Sequence, residues 1–141
     1  MANFLTAYNI VAKHEGGFQI HPNDSGNYNS LGQLVGTNWG ISAPVFEHFL
    51  QRPPSQTDVQ AMSKATAANI FKTRFWDRIK GDSISHQDVA TIFFDGIVNH
   101  GSTGVRIMQR VLGVTADGAV GPITLSAINQ ADPAPVSYTH L

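Results

Sequence analysis

The stretch from His86 to His100 constrains this chain more than any other. Wound into a helix, Val89, Ile92, Phe93 and Ile97 make it apolar almost all round, and such a helix has to be enclosed by other elements. The expected architecture is therefore a mainly α domain packed about this segment. The rest of the chain can supply the packing. Hydrophobic residues make up 42% and charged residues 13% of 141 residues, which suits one folded domain and argues against disorder.

Periodicity and punctuation place the remaining elements. Phe4, Tyr8 and Val11 recur at i, i+4, i+7, with Leu5 and Ala12 beside them, so a first helix is expected from Ala2 to His14. Gly16-Gly17 should end it. A long loop follows from Phe18 to Asn38, punctuated by Pro22 and Asp24-Ser25-Gly26, with room for a short hairpin around Leu31 to Val35. Pro44 opens a helix through Phe46, Phe49 and Leu50 that Pro53-Pro54 closes. Ser55 to Ala61 reads as a short helical turn. A longer helix from near Ser63 carries Ala67, Phe71 and Phe75 on one face and closes at Gly81. Val105, Met108 and Leu112 mark the next helix, with Gly113 as its stop, and Gly121-Pro122 opens a last one holding Leu125 and Ile128.

Residues 1–131 are expected to form a single domain, because two short helices within 101–129 bury too little surface to fold alone. The tail 132–141 reads as a segment outside the fold.

Several function classes fall away. A formal net charge of −1 gives no basic excess for nucleic acid. There is no cysteine, hence no disulfide or thiolate chemistry. Met1-Ala2-Asn3-Phe4-Leu5 lacks the features of a secretory signal, and no stretch is apolar long enough for stable membrane insertion. His14-Glu15-Gly16-Gly17-Phe18 opens like a zinc-protease helix, but Phe18 stands where the second histidine is required. The six histidines show no metal spacing, so neither a metal nor another cofactor is expected. No nucleophile elbow, phosphate loop or dinucleotide fingerprint occurs.

Glu15 stands out on pattern alone. It continues the apolar stripe of Phe4, Tyr8 and Val11, which aims it at the core or at a cleft in it. Partial burial and a helix C-terminus both raise a carboxyl pKa. A carboxylic acid kept protonated near neutral pH can protonate a leaving group, as glycosidic cleavage requires. The alternative, equally weighted on pattern, is a structural pair with Arg74 or Arg78. Asp24 lies close enough in sequence to fold over Glu15, where it would orient a water or stabilise positive charge at a sugar carbon; the plainer reading of Asp24-Ser25-Gly26 is an Asx turn.

Asp95 and Asn99, at i and i+4 on the most apolar helix, are expected to be at least partly buried. There they hold the Glu15 loop or, as the alternative, line a sugar groove. Trp39, Trp76 and Tyr28 are candidate stacking surfaces for sugar rings. Trp39 is the better placed, in the turn-like Thr37-Asn38-Trp39-Gly40, while Trp76 has core packing as a competitor.

His14-Glu15-Gly16-Gly17-Phe18, Asp24-x-Gly26 and Thr37-Asn38-Trp39-Gly40-Ile41-Ser42 together resemble glycoside hydrolase family 108, the lysozyme-like N-acetylmuramidases found among phage endolysins and bacterial secretion-associated enzymes. The resemblance continues through Phe75-Trp76 and Phe94-Asp95-Gly96-Ile97-Val98-Asn99-His100-Gly101. Met108 to Val114 and Asp117 to Thr124 are similar to the family's peptidoglycan-binding region. Coverage runs from the N-terminus to about Asn129. The resemblance implies that Glu15 is the catalytic glutamate, that Asp24 and Thr37 hold active-site loop positions, and that Asp95 and Asn99 lie on the helix facing that loop. Two departures stand out. The connection from Asp24 to Thr37 is longer than the family's, and Asn27 replaces a second glycine. The family usually continues past the last helix, so a further C-terminal segment is expected to be lacking here.

The expected function is hydrolysis of the β-1,4 bond between N-acetylmuramic acid and N-acetylglucosamine in peptidoglycan glycan strands. The expected form is a monomer acting in the periplasm or on the cell wall and exported by a holin-like or dedicated route. The alternatives are a non-catalytic peptidoglycan-binding module and a secretion-system component.

Overall fold

The computed structural model describes residues 1–11 and 17–130. It is mainly α, as expected, with helices α1 (Phe4–Val11), α2 (Ala43–Leu50), α3 (Gln56–Gln60), α4 (Lys64–Phe71), α5 (Gln87–Leu112) and α6 (Pro122–Gln130). Among the described residues there is no strand longer than an isolated bridge. The chain divides into two compact units, Met1–Lys13 with Phe71–Leu141, and His14–Ile70.

The first unit is organised by α1 and the apolar half of α5, which pack together. Val89, Ala90, Ile92, Phe93, Phe94 and Ile97 are all buried, so the segment that dominates the sequence also dominates the core. Phe94 meets the rings of Phe4, Phe71 and Trp76 edge-on, with centroids 5.8, 6.4 and 5.6 Å away, a favoured aromatic geometry. On α1, Phe4 stacks on Tyr8 at 5.4 Å. The partner of Tyr8 on the buried face is Ala7; Leu5 points outward at 59% exposure, contrary to its expected place on the inner face. An i, i+3, i+4 stripe built on Phe4 leaves no inward position for Leu5.

The helix expected through Phe75 does not continue regularly. After Phe71 the chain widens into a π turn, Lys72–Trp76, then tightens into 3₁₀ turns at Asp77–Ile79 and Gly81–Ser83. The wide turn rotates Trp76 inward. Its ring is fully buried and its Nε1–H donates to Asp82 Oδ1 at 2.8 Å. Trp76 is therefore core, and its candidacy as a sugar-stacking surface fails for that reason. Gly81 is obligatory here, because a Cβ would run into the Trp76 indole.

α5 carries a break at Gly101 (φ 58°, ψ −142°). The two helices read from the sequence, one ending at His100 and one holding Val105, Met108 and Leu112, thus join directly at a kink. Gly104 has no room for a Cβ against the Gly96 carbonyl. Beyond the kink, the fully buried Gln109 knits the last elements together. Its Nε2 donates to Asp117 Oδ1 (3.0 Å), Ala119 O (3.0 Å) and Thr124 Oγ1 (3.1 Å), and its Oε1 accepts from Gly118 N–H (3.0 Å). The backbone of Ser85 donates to Asn129 Oδ1 at 2.9 Å, and Asn129 Nδ2 donates to Ser83 O at 3.0 Å. These bonds anchor α6 to the chain ahead of α5.

In the second unit, α2 begins where Ser42 accepts the Val45 N–H and Pro44 sits in the first turn. It ends at Gln51, which adopts a left-handed conformation. Ser55 and Asp58 form a reciprocal capping box on α3. Arg52 bonds Asp58 at 2.8 Å, and this guanidinium, followed by the Ser55 N–H, holds the Asp58 carboxyl well below the usual carboxylate range.

Gln109→Leu is expected to lower stability by about 2 kcal/mol, because it strands the buried Thr124 hydroxyl and opens the Asp117–Ala119 turn. Urea unfolding should show one cooperative transition shifted as a whole; a separate transition arising from residues beyond the kink would show that they fold independently.

Candidate active site

Glu15 lies outside the described residues, and so does its proposed pairing with Arg74 or Arg78. The loop that follows is described from Gly17 onward, and polar contacts hold it in place of strands. Gln19 and Thr37 exchange backbone hydrogen bonds of 2.9 and 2.8 Å, and an inner bridge joins Tyr28 to Leu34. The hairpin expected near Leu31 to Val35 is this inner turn, displaced towards Tyr28. Gly36 makes the outer bridge possible. Its φ is +90°, and a Cβ would lie 2.7 Å from both Gln19 O and the Phe18 ring.

Asp24 is exposed and caps the 3₁₀ turn Ser25–Asn27, its Oδ1 accepting the Gly26 N–H at 2.8 Å. This is the Asx turn of the plainer reading. Asn27, at the family's second-glycine position, is fully buried. Its Oδ1 accepts the His21 N–H at 3.0 Å, its carbonyl accepts the N–H groups of Val35 and Gly36, and its Nδ2 has no partner. Thr37 is half-buried, fixed through its backbone.

Next, Asn38 and Ile41 close a tight turn over Trp39 and Gly40, with φ of +53° and +78°. Two positive φ values define a primed turn, for which asparagine and glycine are the usual occupants; a tryptophan in the first position is backbone strain of roughly 1–3 kcal/mol. Buried Asn38 Nδ2 donates to Val59 O at 2.9 Å, and Trp39 Nε1 donates to Met62 O at 2.9 Å. The strained, half-buried indole is thereby held in one orientation.

Asp95 and Asn99 belong to the other unit. Asn99 Nδ2 donates to Asp95 Oδ1 at 2.7 Å and to Asp95 O at 3.0 Å. Asp95 is half-buried, as expected, but Asn99 is exposed, because it sits on the outward side of α5 just ahead of the Gly101 kink. The candidate residues thus form two local groups, a loop set of Asp24, Thr37 and Trp39 and a helix pair of Asp95 and Asn99. Among the described residues no group of three metal-type ligands occurs.

Comparison with known families matches residues 8–101, two thirds of the chain, to Glycosyl hydrolase 108. The chain belongs to that family. Residues 103–138 match a family described as "Predicted Peptidoglycan domain". Among solved structures, the chain is similar to "Structure of Brucella abortus SagA", with 30% identity and a TM-score of 0.78 over 92% of this chain and 70% of that one. No curated protein matches. Together these findings bear out the lysozyme-like helical class and the resemblance stated from the motifs. The protein is a glycoside hydrolase acting on peptidoglycan. No helix among the described residues is long and apolar enough to cross a membrane.

In this family 108 hydrolase the loop set is followed by a surface that no motif in the sequence marks. A cleft of about 520 Å³ opens between Tyr28 to Ser30 and the C-terminal half of α2. Glu47 lines it, held ionised below the ordinary carboxylate range by the Ser30 hydroxyl and N–H, the latter at 2.8 Å. The available signal was charge. Glu47 and Arg52 flank the end of a short helix otherwise dominated by apolar residues.

Gly36→Ala is expected to destabilise the protein by roughly 2 kcal/mol or more, since the clash with Phe18 and the positive φ act together. Chemical unfolding alongside a wall-clearing assay would register this as lower stability together with lower activity, because Thr37 loses its bridge to Gln19.

Proposed function

We propose that the protein is an N-acetylmuramidase that cleaves the β-1,4 bond between N-acetylmuramic acid and N-acetylglucosamine, with Glu15 as general acid. The observation that carries this reading is the buried stripe of α1. Phe4 and Tyr8 stack, Ala7 and Tyr8 are buried, and in the sequence Glu15 is the next position of the spacing Phe4, Tyr8, Val11, within the family-matched span. An acid at a position of that spacing is one that a continued apolar stripe would shield from bulk water. Shielding of that kind favours the protonated form of a carboxyl, the form that donates to a glycosidic oxygen as the bond breaks.

Asp24 acts in support of that step. One oxygen is committed to the Gly26 N–H, which fixes the direction of the other for orienting water or stabilising charge at the sugar carbon. Trp39 offers its restrained indole to a sugar face, and Thr37 is held beside it by the bridge to Gln19. Asp95, oriented by Asn99, supports the active-site loop. Residues 101–129 act as part of one catalytic domain with 1–100, a reading supported by the direct join of the two halves of α5 at the Gly101 kink and by the Asn129 contacts. The enzyme works as a monomer on glycan strands of the cell wall, without metal or other cofactor.

Glu15→Gln is expected to reduce clearing of purified cell wall by at least about 100-fold, with helical circular dichroism and melting temperature little changed. Substantial residual activity would remove Glu15 from the acid role. Loss of activity together with loss of fold would favour a structural ion pair.

A further inference from the structure

None of Asp24, Thr37, Trp39, Asp95 and Asn99 lines the cleft beside α2. At about 520 Å³ it falls in the range typical of small-ligand sites, roughly 300–1,000 Å³. Tyr28, Pro44 and Pro53 give it apolar walls. The Tyr28 side chain is fixed in place, its hydroxyl donating to Pro22 O at 2.8 Å. Buried Asn29 stiffens the same rim through Nδ2 bonds to Gln33 Oε1 (2.8 Å) and Pro54 O (2.9 Å).

Two opposite charges face this wall. Glu47 is immobilised by Ser30, whose N–H donates to Oε1 at 2.8 Å. Arg52 spends one nitrogen on Asp58 at 2.8 Å and keeps its side chain 56% exposed, so several of the five guanidinium N–H donors remain available. A neutral sugar gains little from a fixed pair of opposite charges. A short peptide with both an ammonium and a carboxylate gains a charge-assisted hydrogen bond at each end.

We propose that this cleft binds the peptide stem of peptidoglycan, with Glu47 receiving an ammonium group and Arg52 a carboxylate. The inference rests on peptidoglycan as the substrate and adds to glycan cleavage a second recognition element. It makes the hydrolase sensitive to whether a strand carries free, charged peptides. The longer connection between Asp24 and Thr37 contributes Tyr28, Asn29 and Ser30, so the extra loop length has a use.

The test is a titration of the isotope-labelled full chain with a synthetic stem tripeptide, L-alanyl-γ-D-glutamyl-meso-diaminopimelate, followed by backbone amide shifts. Saturable shifts are expected at Ser30, Glu47 and Gln51. Affinity should fall about tenfold or more in Glu47→Gln, which keeps an acceptor for the Ser30 N–H while losing the charge. Arg52→Gln should weaken binding similarly, and melting curves establish that both variants fold. Three results would overturn the proposal: no shifts at these amides at millimolar peptide, the same shifts produced by a peptide-free N-acetylglucosamine tetrasaccharide, or undiminished binding in both folded variants. Because binding is read without cleavage, a protein that binds the stem but cleaves nothing refutes only the muramidase reading, and the converse refutes only this one.

Discussion

The contact of Phe94 with Phe4, Phe71 and Trp76 is the constraint on which the first unit depends. Each ring arrives from a different stretch of chain, so the cluster fixes α1, the end of α4 and the π turn on the apolar half of α5 at once. Interiors are close-packed, and a displaced ring is felt by all its neighbours. The π turn exists to serve this cluster. A regular helix would present Phe75 where the core accommodates Trp76, and the indole could not reach Asp82.

The second unit solves a different problem. Among its described residues there are only isolated bridges, and asparagine side chains take the place of ladder partners. Asn27, Asn29 and Asn38 are buried and between them bond to the backbone of His21, Leu31, Gln33, Pro54 and Val59. Buried polar groups of this kind are costly when unmatched and specifying when matched. They hold Trp39 in a conformation that its own backbone preference opposes, which is the pattern expected where a loop is shaped for a ligand more than for stability. The unpartnered Nδ2 of Asn27 is a cost carried at the same place.

Much of this was legible in the sequence, and the exceptions share a physical cause. The apolar run from His86 to His100 announced the central helix, Pro44 and Pro53-Pro54 announced α2, and the glycine at position 101 fell where the helix breaks. Local signals suffice for such features because caps, prolines and helical periods act over a few residues. The π turn carried no such signal: Lys72-Thr73-Arg74 holds no glycine or proline, and only the distant Phe94 and Asp82 decide for Trp76 over Phe75. The asparagine network escaped notice because each bond joins residues that no period relates. The motifs around Glu15, Asp24, Thr37 and Asp95 identified the family, but the exposure of Asn99 and the charged cleft by Glu47 depend on how α5 approaches its kink at Gly101 and on how the long loop closes over α2.

The reducing ends of the released fragments report directly which glycosidic bond is cut. Purified cell wall digested with the protein, reduced with borohydride and analysed by mass spectrometry should yield fragments ending in muramitol. Fragments ending in reduced glucosamine, or in an anhydro sugar, would contradict hydrolysis at N-acetylmuramic acid and require a different chemistry at the same site.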